Sequence, residues 1–118
     1  MRIEVKGRNL QVTDELREVV TRRFEKVDKQ VSELAVLEVE LSEERNPANP
    51  DGQVAEATLH LKGVTLRATD SSRDIKHSIN LIADELARQV KRHRDKRRKR
   101  RESRALAGQV PPPAEEAI

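Results

Sequence analysis

The stretch QVAEATLHLKGVTLRAT, residues Gln53 to Thr69, repeats with a period of two. Ala55, Ala57, Leu59 and Leu61 alternate with Glu56, Thr58, His60 and Lys62. After Gly63, the residues Val64, Leu66 and Ala68 alternate with Thr65, Arg67 and Thr69. Such alternation puts every second side chain on one face of a sheet. Gly63 between the two runs marks a tight turn, so the stretch predicts a hairpin with one apolar and one wet face.

Working upstream, Glu43 to Gly52 carries Asn46-Pro47 and Asn49-Pro50-Asp51-Gly52, the chemistry of a loop. Before it, Leu37, Val39 and Leu41 alternate with Glu38 and Glu40, which predicts another strand from Val36 to Leu41. Leu16, Val19, Val20, Phe24, Val27 and Val31 recur at spacings of three and four, the single stripe of an amphipathic helix. Thr13 offers its N-cap, and Asp14 and Glu15 meet the positive end of the helix dipole. Arg2 to Lys6 reads as a first strand that ends at Gly7-Arg8-Asn9.

Downstream, Asp70-Ser71-Ser72 is expected to cap a second helix starting near Arg73 or Asp74. Its stripe is Ile75, Ile79, Ile82, Leu86 and Val90, with Ala83 and Ala87 allowing close approach. Helix-forming residues continue to about Ala107, and Gly108 is expected to stop the helix. Val110 to Ile118, with Pro111-Pro112-Pro113, reads as a disordered tail. The expected fold is α+β, in the order β-α-β-β-β-α: a four-stranded sheet with two helices packed on one face. Residues 1–101 are expected to form one domain, and 102–118 the helix end and tail.

Charge is distributed unevenly. Arg88 to Arg104 holds eleven Lys/Arg against Asp95 and Glu102, a net of +9. The remaining 13 basic and 19 acidic residues leave the rest of the chain at −6. Lys96 to Arg101 is six consecutive positive charges, and holding them together costs repulsion unless a polyanion neutralises them. Arg17, Arg22, Arg23, Lys26 and Lys29 on the first helix have acidic neighbours and read equally well as ordinary salt-bridge partners.

Several classes of function lose support. No cysteine is present, so there is neither a disulfide framework nor thiolate chemistry. His60, His77 and His93 show no metal-ligand spacing, and no metal or other cofactor is expected. His93 lies among the phosphate-facing candidates; His60 falls on the wet side of its strand. No Gly-rich phosphate loop or nucleophile motif appears, and the carboxylates alternate along wet faces, so no enzyme or small-molecule substrate is expected. No apolar run approaches the roughly 20 residues of a membrane span. Lys91 to Arg104 contains no Leu, Ile, Val or Phe to insert into a lipid surface. A cytoplasmic protein without a membrane partner is expected. One Phe and no Tyr or Trp leave the sheet without rings on which single-stranded bases stack, which favours recognition of folded RNA by shape and phosphate.

Three stretches carry a family likeness: Gly7-Arg8-Asn9 through Thr13-Asp14-Glu15-Leu16-Arg17-Glu18; Ala57-Thr58-Leu59-His60 with its hairpin; and Leu86-Ala87-Arg88-Gln89-Val90-Lys91-Arg92-His93-Arg94-Asp95-Lys96. In this order and spacing the chain resembles the bacterial ribosome hibernation-promoting factors and ribosome-associated inhibitors, over about residues 1 to 100. It resembles a short form, or the N-terminal domain of a long form whose second domain dimerises. The resemblance implies a fold like a double-stranded-RNA-binding domain with an added first strand. It also implies a translation silencer that occupies the small-subunit decoding channel and excludes messenger RNA and tRNA. The implied partners are the small ribosomal subunit and its ribosomal RNA. The basic positions matching the family are Arg23 and Lys26 on the first helix and Arg88, Arg92, Arg94 and Lys96 on the second. Lys91, Arg97 and Arg98 join them from the charge pattern of this sequence. The family often has an aromatic residue at the start of the second helix; here that run is Asp74-Ile75-Lys76-His77-Ser78-Ile79-Asn80. The alternative reading is a structured-RNA-binding protein without ribosome specificity.

Overall fold

A computed structural model describes the backbone of residues 1–109 and the side chains of 1–104. The expected Pro-rich tail lies outside the described residues. The elements are β1 (Arg2–Arg8), α1 (Asp14–Arg23), α2 (Glu25–Asp28), β2 (Val36–Glu43), β3 (Gln53–Leu61), β4 (Val64–Ser72) and α3 (Ile75–Gln109). The strands form one sheet in the order β1-β2-β3-β4. β1 runs parallel to β2, with α1 and α2 as the crossover, and β2, β3 and β4 form an antiparallel meander.

The hairpin is as expected. Leu61 faces Val64 across a two-residue turn in which Gly63 has φ +79°, a conformation glycine adopts without the penalty of a Cβ. The resulting register puts Leu37, Val39 and Leu41 beside Ala55, Ala57 and Leu59 on the covered face, all nearly solvent-free. Leu16, Val19, Val20, Phe24 and Val27 from α1 and α2, and Ile79, Ile82, Leu86 and Val90 from α3, close the core over that face. Small alanines in the centre of β3 and at Ala68 let α3 lie close to β3 and β4. On the open face, Glu38 bonds His60 at 2.8 Å across the strands. That hydrogen bond from His60, more than any charge nearby, holds the Glu38 carboxyl below the usual carboxylate range.

Three expectations need correction. The first helix is not continuous to Val31. It breaks at Phe24 (φ −96°, ψ 10°), whose N–H still bonds the Val20 carbonyl at 3.1 Å, and one further turn follows. Phe24 is fully buried, so the bend leaves the apolar stripe unbroken as far as Val27. Asp70-Ser71-Ser72 is not a cap but the end of β4, because the hairpin register pairs Ser71 with Val54 and Ser72 with Gln53. The residue that caps α3 is Asp74, whose Oδ1 accepts the Lys76 N–H at 3.2 Å. Finally, Gly108 does not stop α3, which continues through it to Gln109. A lone glycine costs a helix about 1 kcal/mol relative to alanine and does not by itself end it.

Burial makes a direct prediction about stability. Phe24→Ala is expected to cost about 3–5 kcal/mol in equilibrium urea unfolding. Leu34→Ala, at a side chain 86% exposed, is expected to stay within about 0.5 kcal/mol of the parent. Equal costs would mean that the Phe24 ring does not anchor the core.

Candidate nucleic-acid interface

The site is built from one helix that changes character partway along. Up to Val90, α3 buries Ile79, Ile82, Ala83, Leu86 and Val90 at i, i+3 and i+4 spacing. From Lys91 to Arg104 no side chain is buried, and only His93 and Asp95 are partly covered. Those fourteen positions extend the helix by about 21 Å at 1.5 Å per residue.

A helix turns 100° per residue, so the stripe that faced the core has a continuation. Arg94, Arg97 and Arg101 follow Val90 at i+4, i+7 and i+11 and occupy it. They line one groove with Val90, His93, the hairpin residues Leu61 and Lys62, and Gln30, Val31 and Ser32 from the chain after α2. Arg88, Arg92, Lys96 and Lys99 fall on the opposite side of the helix, with Lys91 and Arg98 between. The projecting segment is therefore positive around its whole circumference, which a linear count of charges does not reveal.

All nine expected residues are exposed: Arg23, Lys26, Arg88, Lys91, Arg92, Arg94, Lys96, Arg97 and Arg98. Three of them have acidic neighbours. Arg88 lies 2.9 Å and Arg92 3.8 Å from Glu85, and Arg98 lies 3.5 Å from Asp95. Gln89's amide, with Arg88 next, holds the Glu85 carboxyl below the usual carboxylate range. Glu85 is thus ionised at neutral pH and competes with any phosphate for Arg88 and Arg92. The other six make no ion pair among the described residues. Arg23 closes α1 and Lys26 sits in α2, and both helices pack against α3.

The groove brings in two basic residues outside the nine singled out, Arg101 and Lys62. Arg101 was legible in principle, because it continues the Val90 stripe. Lys62 was not, since its approach to α3 depends on where the hairpin turn lands. Among the described residues no group of His, Asp or Glu is arranged to hold a metal ion. Nor is any described helix long and apolar enough to cross a membrane.

Like charges at i and i+4, such as Arg92–Lys96, Lys96–Arg100 and Arg97–Arg101, each destabilise the helix by about 0.2–0.5 kcal/mol and are screened by salt. The far-ultraviolet helical signal of the protein is expected to rise between about 0.01 M and 1 M salt, where the Debye length falls from about 30 to 3 Å. Lys96→Glu turns the first two pairs attractive and is expected to shrink that rise. A signal indifferent to salt in the parent would show that repulsion does not limit the helix.

The fold and sequence are shared with known proteins. Residues 3–98 match the family described as Sigma 54 modulation protein / S30EA ribosomal protein. A ribosome hibernation promoting factor of Salmonella typhimurium is 32% identical over 96 residues, covering 81% of this chain and 96% of that protein. A ribosome hibernation promotion factor of Picosynechococcus is 31% identical over 97 residues, and there the match spans only 50% of the relative's length. Among solved structures, the N-terminal domain of Thermus thermophilus Protein Y superposes with a TM-score of 0.67 at 29% identity, covering 79% of this chain and 99% of that one. The α+β fold expected from the alternating strands is the fold of these proteins, and the chain belongs to the Sigma 54 modulation protein / S30EA ribosomal protein family.

Proposed function

We propose that the protein binds ribosomes and silences translation, as a non-enzymatic hibernation factor of the cytoplasm. The observation that carries this reading is the all-round positive extension of α3 on a fold shared with ribosome hibernation promoting factors. Such an extension suits a site walled by ribosomal RNA on several sides. Residues on opposite sides of one helix can then meet different phosphates at once, and each contact releases condensed counterions. A flat duplex would engage one side only.

In this reading residues 1–101 are the ribosome-binding unit, and the partner is the small subunit through its ribosomal RNA. The domain sits in the decoding channel and excludes messenger RNA and tRNA by occupancy. Arg23 and Lys26 grip from α1 and α2, while Arg88, Lys91, Arg92, Arg94, Lys96, Arg97 and Arg98 grip from α3. Arginine supplies two parallel hydrogen bonds to one phosphate, which gives orientation as well as charge. The order α1, three antiparallel strands, α3 supports the likeness to a double-stranded-RNA-binding domain, with β1 added.

Co-sedimentation with isolated small subunits, with excess tRNA as competitor, tests this. Saturable binding near one copy per subunit that survives the competitor is expected. Binding that tRNA strips away would reduce α3 to a general polyanion grip. In the same assay, replacing Arg92, Arg94 and Lys96 together by Ala is expected to weaken binding. It should also flatten the slope of log affinity against log salt by about 0.7–0.9 for each phosphate no longer neutralised. An unchanged slope would remove these residues from the interface.

A further inference from the structure

The groove beneath the α3 extension differs from the rest of the basic surface. Its volume is 330 Å³, within the range of about 300–1,000 Å³ typical of small-molecule sites. Its rim is cationic, with Arg94, Arg97 and Arg101 on one side and Lys62 on the other, and no acidic side chain lines it among the described residues. Its floor is apolar. Val90 is 2% exposed, and Val31 and Leu61 are half-buried against the core. In its wall stands Gln30, whose side-chain Oε1 has no hydrogen-bond partner and no surface open to solvent, so a ligand reaches it only when the amide turns toward the groove. A buried acceptor without a partner is costly, and that cost favours the turn when a ligand offers a donor.

A phosphate alone would use the rim and waste the floor. An apolar ligand would use the floor and strand the arginines. A nucleotide matches all three features: its phosphate meets the arginines, the face of its base covers Val31 and Leu61, and an amine of the base edge donates to Gln30 Oε1 once the amide turns. The base must be unpaired, since pairing hides its edge and stacking hides its face. No aromatic ring is required, because the aliphatic floor supplies the contact. We infer that this groove takes one unstacked nucleotide of an RNA strand, a pocket distinct from the outward phosphate-gripping face of α3. This rests on the RNA-binding reading above and adds to it a preference for RNA with an extruded base.

The test uses the whole chain and two RNA hairpins of equal length, one fully paired and one with a single bulged adenosine, read by fluorescence anisotropy. The parent protein is expected to bind the bulged hairpin about five- to tenfold more tightly, the worth of one or two recovered hydrogen bonds. Gln30→Leu and Arg97→Ala are each expected to bring that ratio close to one. A thermal midpoint for Gln30→Leu at or above the parent's would confirm that its fold is intact. Lys99→Ala, on the outer side of α3, is expected to weaken both hairpins alike. Parent binding with a ratio of one overturns the pocket and leaves the RNA-binding reading standing. A preference that survives both groove variants overturns it too, since bulge flexibility would then be the cause. Adenosine monophosphate competing as strongly as the bulged hairpin would overturn the RNA source in favour of a free nucleotide. Failure to bind either hairpin would remove the pocket together with the reading beneath it.

Discussion

Burial of the Ile79–Val90 stripe against β3 and β4 sets the position and rotation of everything that follows it in α3. A helix is rigid over a few turns, so once Leu86 and Val90 are seated, the azimuth of each residue to Arg104 is determined. The sheet does not need to touch the extension to aim it. That is why the small residues Ala55, Ala57 and Ala68 bear on the geometry of the candidate interface although none lies near it. They let α3 approach the sheet closely, and a larger side chain there would lift or roll the helix and turn the whole ring of cations with it. Gln89 adds a polar latch at this point, its amide donating to the Arg67 carbonyl at 2.7 Å and to Glu85 at 3.1 Å.

Most of the fold was legible because its strands alternate cleanly. One face of the sheet is dry and the other wet, so period two survives in Leu37, Val39 and Leu41 and in Ala55, Ala57 and Leu59. The misreadings share a physical origin. At Phe24 the stripe spacing is preserved across a bend, so periodicity cannot register it. At Asp70 to Ser72 the local residues favour a cap, but the hairpin register supplies strand partners, and pairing outweighs local preference. At Gly108 a residue often found just past helix ends sits inside one. Each is a case in which a neighbour distant in sequence, or the continuation of a helix already formed, overrode a local signal.

The candidate site was legible as charge but not as arrangement. A run of Lys and Arg announces a polyanion partner, yet it does not separate the residues that face the groove from those that face outward. Arg94 and Arg97 looked equivalent to Arg92 and Lys96 in the sequence. In the fold the first two continue the core stripe beside Leu61 and Gln30, and the second two point away from it. The contribution of Lys62 depends on the hairpin turn arriving next to α3, a long-range event that no local pattern encodes.

The open face of the sheet shows by contrast what is unusual about the α3 extension. Register brings Glu4 beside Glu38 and Glu40 beside Glu56, but Arg2, Lys6, Arg8 and Arg67 stand on the same face, so carboxylates and cations balance there. Arg2 pairs with Glu4 at 2.6 Å and His60 with Glu38 at 2.8 Å. Charges that alternate in sign at this spacing cancel within roughly one Debye length, about 8 Å at physiological salt. Past Val90 the side chains of α3 meet few carboxylates, and the helix runs on for about 21 Å at 1.5 Å per residue. The uncompensated charge of the fold is therefore gathered on one projecting element, and its place follows from where the apolar stripe ends.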